Sequence, residues 1–167
     1  MKKILGLLLA IAIVITNVQL SGAKRKSLIQ GKSAYQIIKL FVKSSFCYDI
    51  KDIKAYTRKS DPNKMLGRPG YYISKAECYD YSIDQEDQIE PVGINVETFR
   101  NATQAKKRYK YLKNFQDPSL GAFGVNEYLI LDKKVLFRFT YEYSGKEMKT
   151  FKKAIASYEK GKMYYAV

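Results

Sequence analysis

The chain has 167 residues, with 30 Lys and Arg against 16 Asp and Glu, a formal net charge of +14, two cysteines and no histidine. That length holds one domain behind a short N-terminal segment. Without histidine there is no Ser-His-Asp or Cys-His catalysis, no histidine general base and little basis for a zinc site. Two cysteines with no Cys-x-x-Cys spacing exclude thiolate metal cages and a thioredoxin-like redox site.

The first segment is MKKILGLLLAIAIVITNVQLSGA. Lys2 and Lys3 precede an apolar run over residues 4–18, and Ser21-Gly22-Ala23 supplies small residues at a cleavage point. Residues 1–23 therefore read as a signal peptide cut after Ala23. The alternative is an uncleaved anchor that holds the protein at a membrane. Against it, Thr16, Asn17 and Gln19 interrupt the run before the ~20 apolar residues of a spanning helix. No cysteine follows the apolar run before Cys47, so a lipoprotein anchor is not expected. Export would place Cys47 and Cys78 in an oxidising compartment and predicts a disulfide between them; two separate buried thiols are the other reading. Such a bridge closes a loop of about 30 residues and would stabilise by roughly 3–4 kcal/mol in the chain-entropy model. Losing Lys2 and Lys3 leaves the domain strongly basic. Outside the cell that charge would draw it to cell-wall polymers, lipid headgroups or nucleic acid, although charge also serves solubility.

Residues 24–32, KRKSLIQGK, read as a basic, flexible leader, and residues 33–167 as a single domain. Ser33 is a helix N-cap, followed by Ala34, Ile37, Ile38 and Phe41 at helical spacing. Residues 53–57 alternate as a short strand. DPNKMLGRPGYYISK comes next, with Asp61, Pro62 and Asn63 opening a loop in which Gly67 and Gly70 permit positive φ. Pro69 fixes its own φ and pushes Arg68 toward an extended conformation. Residues 71–81 form a strand with Ala76 and Cys78 on one face, and the acidic tract at 80–90 connects to a strand over 92–99 carrying Val92, Ile94 and Val96 on one side. Asn101 and Gln104 make a capping-box-like start to a second helix, lined by Ala105, Tyr109 and Leu112. A hairpin over 127–143 turns at Asp132-Lys133-Lys134. Ser144 and Glu147 then cap a last helix whose buried stripe is Met148, Phe151, Ile155 and Tyr158. The expected fold is α+β: a largely antiparallel sheet of about four to five strands, with three amphipathic helices mainly on one face.

Three features bear on chemistry. The LGRPG turn could offer backbone N–H groups to an anion beside Arg68, but it opens into a strand and lacks the following Lys and Ser/Thr of a phosphate loop, so it reads as a structural turn. Asp80, Asp84, Glu86, Asp87 and Glu90 are dense oxygen donors without EF-hand spacing, and they read as a solvated connection with no metal site. Lys106, Lys110 and Lys113 recur at helical spacing beside Lys107, with Tyr109 and Tyr111 interleaved, and the last helix carries Lys149, Lys152 and Lys153 similarly. Such faces either bind polyanions or are simply solvated.

The runs AYTRKSDPNKMLGRPGYYISKAECYD, INVETFRNATQAKKRYKYLKNF and EYLILDKKVLFRF resemble an uncharacterised family of small exported domains and lipoproteins of Gram-positive bacteria. The likeness runs over most of the domain, and its specific part is DPNKMLGRPGYYISK. It implies export and an α+β domain, and it implies no activity. The expectation is a secreted, non-catalytic binding domain of the bacterial cell surface, without cofactor, acting on a protein or an anionic cell-wall polymer and on no specific nucleic acid. The alternative is a histidine-free enzyme such as a carboxylate-dependent hydrolase, which needs a pocket with two carboxylates, one of raised pKa.

Overall fold

The structure is a computed structural model and describes residues 25–44, 49–83, 93–116 and 127–165. Its elements in chain order are α1 (Ala34–Val42), β1 (Ile50–Ala55), β2 (Ser74–Asp80), β3 (Gly93–Thr98), α2 (Ala102–Asn114), β4 (Glu127–Asp132), β5 (Val135–Thr140) and α3 (Gly145–Glu159). The strands form one antiparallel sheet in the order β1-β2-β3-β5-β4. This is the α+β architecture expected from the sequence.

Register decides what each face carries. Ala76, Val96, Phe137 and Ile130 lie abreast, and so do Lys75, Glu97, Leu136 and Leu131. Successive residues of a strand point to opposite faces, so the first row is apolar and the second mixes charge with leucine. The apolar face is covered by α1 and α3, whose Ile37, Ile38, Phe41, Phe151, Ile155 and Tyr158 join its core. Phe41 sits at the centre, its ring edge-on to Phe137, Phe139, Phe151 and Tyr158. Two of the three helices thus share a face. The third, α2, packs with the LGRPG loop on the other, where Leu66, Tyr72, Phe99, Ala105, Leu112 and Leu136 form a second, smaller cluster.

The helix starts follow the local chemistry. Ser33 with Gln36, and Ser144 with Glu147, form reciprocal capping boxes. At α2 only half of that arrangement exists: Asn101 Oδ1 accepts from the Gln104 N–H at 2.9 Å, while Gln104 Oε1 is buried without a hydrogen-bond partner among the described residues. β1 begins earlier than its alternation suggested, because Asp52 (φ 50°) sits in a bulge where the pairing shifts between Lys51 and Lys54. β2 starts later, at Ser74, since Tyr71 and Tyr72 close turns with Arg68 and Gly67.

The segment expected to be a flexible leader is packed from Ser27 onward. Ile29 is fully buried, the Leu28 N–H donates to the Tyr158 carbonyl at 2.8 Å, and the Ser27 hydroxyl donates to Glu159 at 2.7 Å. Basic composition at 24–26 concealed the apolar pair Leu28-Ile29, which completes the core beneath α3. Asp80, read as the start of a solvated tract, is also buried; it accepts from the Tyr143 hydroxyl at 2.8 Å and from Ser82. Asp84, Glu86, Asp87 and Glu90 lie outside the described residues, as does Cys47. Cys78 lies buried on the apolar face, its Sγ 3.6 Å from the Ile94 carbonyl oxygen, and burial pushes its thiol up to about 12.

Candidate functional site

The LGRPG loop is organised by Asp61 rather than by its glycines. The Asp61 side chain is fully buried, and its Oδ2 accepts from the N–H groups of Met65 at 2.8 Å and Leu66 at 2.9 Å. The Tyr72 hydroxyl, also fully buried, reaches both oxygens at 2.8–2.9 Å. One carboxylate therefore ties the start, middle and exit of the loop. Gly67 is favoured for a separate reason: its φ of +75° lies in the left-handed region that side-chain-bearing residues rarely adopt. Pro62, Asn63, Arg68, Pro69 and Gly70 are exposed around this scaffold. Composition pointed to Gly and Pro as the residues that shape the turn and missed Asp61. Its sequence signal was an Asp at a turn start, a residue whose side chain bonds the backbone N–H groups that follow it.

Beneath the loop and α2 lies a line of buried charges. Glu97, fully buried on β3, takes a two-pronged contact from Arg108 of α2, Nε to Oε2 at 3.0 Å and Nη2 to Oε1 at 3.1 Å. Arg138 of β5 donates to the same Oε1 at 3.1 Å and grips Glu127 with Nε at 2.7 Å and Nη2 at 2.8 Å. Lys75 of β2, 4 % exposed, places Nζ 3.9 Å from Asp61 Oδ1 and 4.6 Å from the centre of the Tyr56 ring. At the outer end Glu77 meets Lys54 at 3.8 Å and the Tyr56 hydroxyl. Asp61, Glu77, Glu97 and Glu127 thus balance Lys54, Lys75, Arg108 and Arg138.

The environment sets the charge states. Burial disfavours an ionised Asp61, but the hydrogen bonds from Tyr72, Leu66 and Met65 and the nearby Lys75 outweigh it, and the carboxyl is held below its ordinary range. Burial, and then the Asp61 hydrogen bond, push the Tyr72 phenol well above its usual value. Burial, and then Arg138, lower the Lys75 ammonium, against the pull of Glu97, Glu77 and Asp61. In a balanced network of this kind each carboxylate lies beside a cation. It is suited to fixing the loop and α2 against the sheet.

Arg108 was overlooked because its position reads as one more base on a basic helix. On α2 the buried residues are Ala105, Arg108 and Leu112, while Tyr109, expected on the inner face, is only half-buried. Arg108 takes the inner position because Glu97 lies beneath it, and its guanidinium also lies over the rings of Tyr72 at 6.0 Å and Tyr111 at 5.5 Å.

Lys106, Lys107, Lys110 and Lys113 are all exposed, and none enters an ion pair among the described residues. Lys149, Lys152 and Lys153 are exposed as well, but on α3, across the sheet from α2. The two lysine sets therefore do not form one surface. A carboxyl with a raised pKa is Asp132, lifted by burial against the opposing effects of Lys133 and a Gln30 hydrogen bond; it stands at the β4–β5 turn, apart from the charge network. Among the described residues no group of three or more His, Cys, Asp or Glu is placed to hold a metal ion, and no helix is long and apolar enough to cross a membrane. Compared with known proteins, the chain matches no family model, no curated protein and no solved structure.

Proposed function

We propose that this is a secreted, non-catalytic binding domain of the Gram-positive cell exterior that holds an anionic cell-wall polymer on the outer face of α2. One observation carries this reading: α2 contains no acidic residue, and its four outward lysines have no ion-pair partner among the described residues. The buried network neutralises itself, so it takes up none of the chain's excess positive charge. A hydrolase finds less support, because the carboxylates of the network are each matched to a cation within it.

Binding of this kind draws on counterion release, so retention on a heparin or teichoic-acid matrix should fall steeply with salt. Reversing Lys106 and Lys110 to Glu should weaken retention and flatten the log–log salt slope by about two, one for each lysine. Folding should be unaffected, since Ala105, Arg108 and Leu112 on the buried side are untouched. Equal retention of both proteins at every salt concentration would remove the reading.

Export and the cysteine pair belong to the same proposal. Protein taken from culture medium should have a mass that begins at Lys24, and Cys47 and Cys78 should resist alkylation in denaturant until reduced. A full-length cell-associated chain would refute cleavage, and complete labelling of both thiols without reductant would refute the bridge.

A further inference from the structure

We infer that the outer surface of the LGRPG loop is the second half of the polyanion site, so that loop and helix together take a linear phosphodiester polymer. This rests on the α2 reading above and extends it to residues that reading leaves unused.

Placement comes first. On the mixed face of the sheet, α2 packs over β4 and β5, while the loop covers β2 and β3 through Asp61–Lys75, Tyr72–Phe99 and the Ile73 N–H to Thr98 carbonyl bond. The two coverings meet where Arg108 of α2 lies over the Tyr72 ring, and Leu66, Tyr72, Ala105 and Leu112 share one apolar cluster. Loop and helix are therefore neighbours on one surface.

Charge comes second. Residues 57–73 hold Arg58, Lys59, Lys64 and Arg68, all exposed, and one acid, Asp61, which is fully buried. Residues 99–116 hold no acid at all. The surface built by these two segments thus presents bases without an exposed carboxylate of their own, an arrangement that self-repels unless anions are near. The buried network beneath them has a use in this arrangement. By locking loop and helix to the sheet through Asp61, Lys75, Glu97 and Arg108, it fixes the two backbone segments that carry these bases before any ligand arrives.

The geometry favours a linear partner. At 1.5 Å per residue, Lys106, Lys110 and Lys113 are stepped along α2 by about 6 and about 4.5 Å, a row rather than a pocket. Tyr71 and Tyr111, 41 % and 49 % exposed, add flat apolar contact beside the bases. A lipid surface suits this face less well, because an interfacial helix inserts its apolar side, and the apolar side of α2 is already buried on the sheet.

The test is a titration of the mature protein with synthetic poly(glycerol phosphate) at several salt concentrations. The variants are Lys59→Glu/Arg68→Glu in the loop, Lys106→Glu/Lys110→Glu in the helix, and all four together, each checked for a wild-type thermal midpoint. Lys59→Gln/Arg68→Gln replaces the loop variant should reversal disturb folding. Either pair should weaken binding on the order of tenfold at low salt, and the quadruple variant more than either. Loss in the helix variant with none in the loop variants would overturn this inference and leave the α2 reading standing. No loss in any variant would overturn both. Glycerol phosphate monomer binding as tightly as the polymer would exclude a linear site, tighter binding to anionic vesicles would exclude this class of partner, and tighter binding to single-stranded DNA would overturn the assignment to a cell-wall polymer.

Discussion

Glu97→Ala should be among the most damaging single substitutions at a polar position, lowering the unfolding free energy by about 3–5 kcal/mol, as breaking a buried ion pair from one side does. Glu97 is fully buried and accepts from both Arg108 and Arg138. Removing it leaves two guanidinium groups in a poorly solvated site. They are not affected equally, because Arg138 keeps its two contacts to Glu127, whereas Arg108 is left, among the described residues, with the Tyr72 and Tyr111 rings. Glu97→Leu combined with Arg108→Leu should therefore recover most of the loss, since an apolar pair of adequate volume replaces a buried ion pair at little cost. Urea unfolding of wild type, single and double variants measures this. A single-variant loss below about 1 kcal/mol, the range of a surface pair, would mean that the pair is solvated.

Asp61→Ala should cost nearly as much, about 3 kcal/mol or more, because it removes the acceptor of three hydrogen bonds and the nearest counter-charge of Lys75 together. The Met65 and Leu66 N–H groups and the Tyr72 hydroxyl would lose their shared partner. The same carboxylate gives the wild-type protein an acid limb. Its folded-state pKa lies below the ordinary value of 3.8, so the unfolded chain takes up a proton first as pH falls. The stability it contributes is complete above 3.8 and is lost as pH drops through the lower folded value. Stability curves of wild type and Asp61→Ala should therefore converge in acid; a constant gap between them down to pH 2 would show that Asp61 is not ionised in the fold.

Both predictions concern residues whose role periodicity did not reveal. Ser33 and Ser144 announced their helices through the glutamine or glutamate three residues on, and the stripes Ile37-Ile38-Phe41 and Phe151-Ile155-Tyr158 identified the buried faces, because capping and 3.6-residue periodicity are local. The β4–β5 hairpin was equally legible from its alternation and its Asp132-Lys133-Lys134 turn. The exposed lysines of α2 were legible too, as the polar side of an amphipathic helix. Leu28-Ile29 was missed because two apolar residues in a basic run carry no period.

What the sequence determined by itself was the set of elements, their class and the surplus of positive charge, since each depends on residues near one another in the chain. Only the tertiary structure decided that α2 lies across the sheet from α1 and α3, and that Asp61, Lys75, Glu97, Arg108 and Arg138 converge under the loop. The reason is physical. A charged residue reads as solvated in a sequence, and it becomes a core residue only when strand register and helix placement bring its counter-charge within about 3–4 Å from a distant part of the chain.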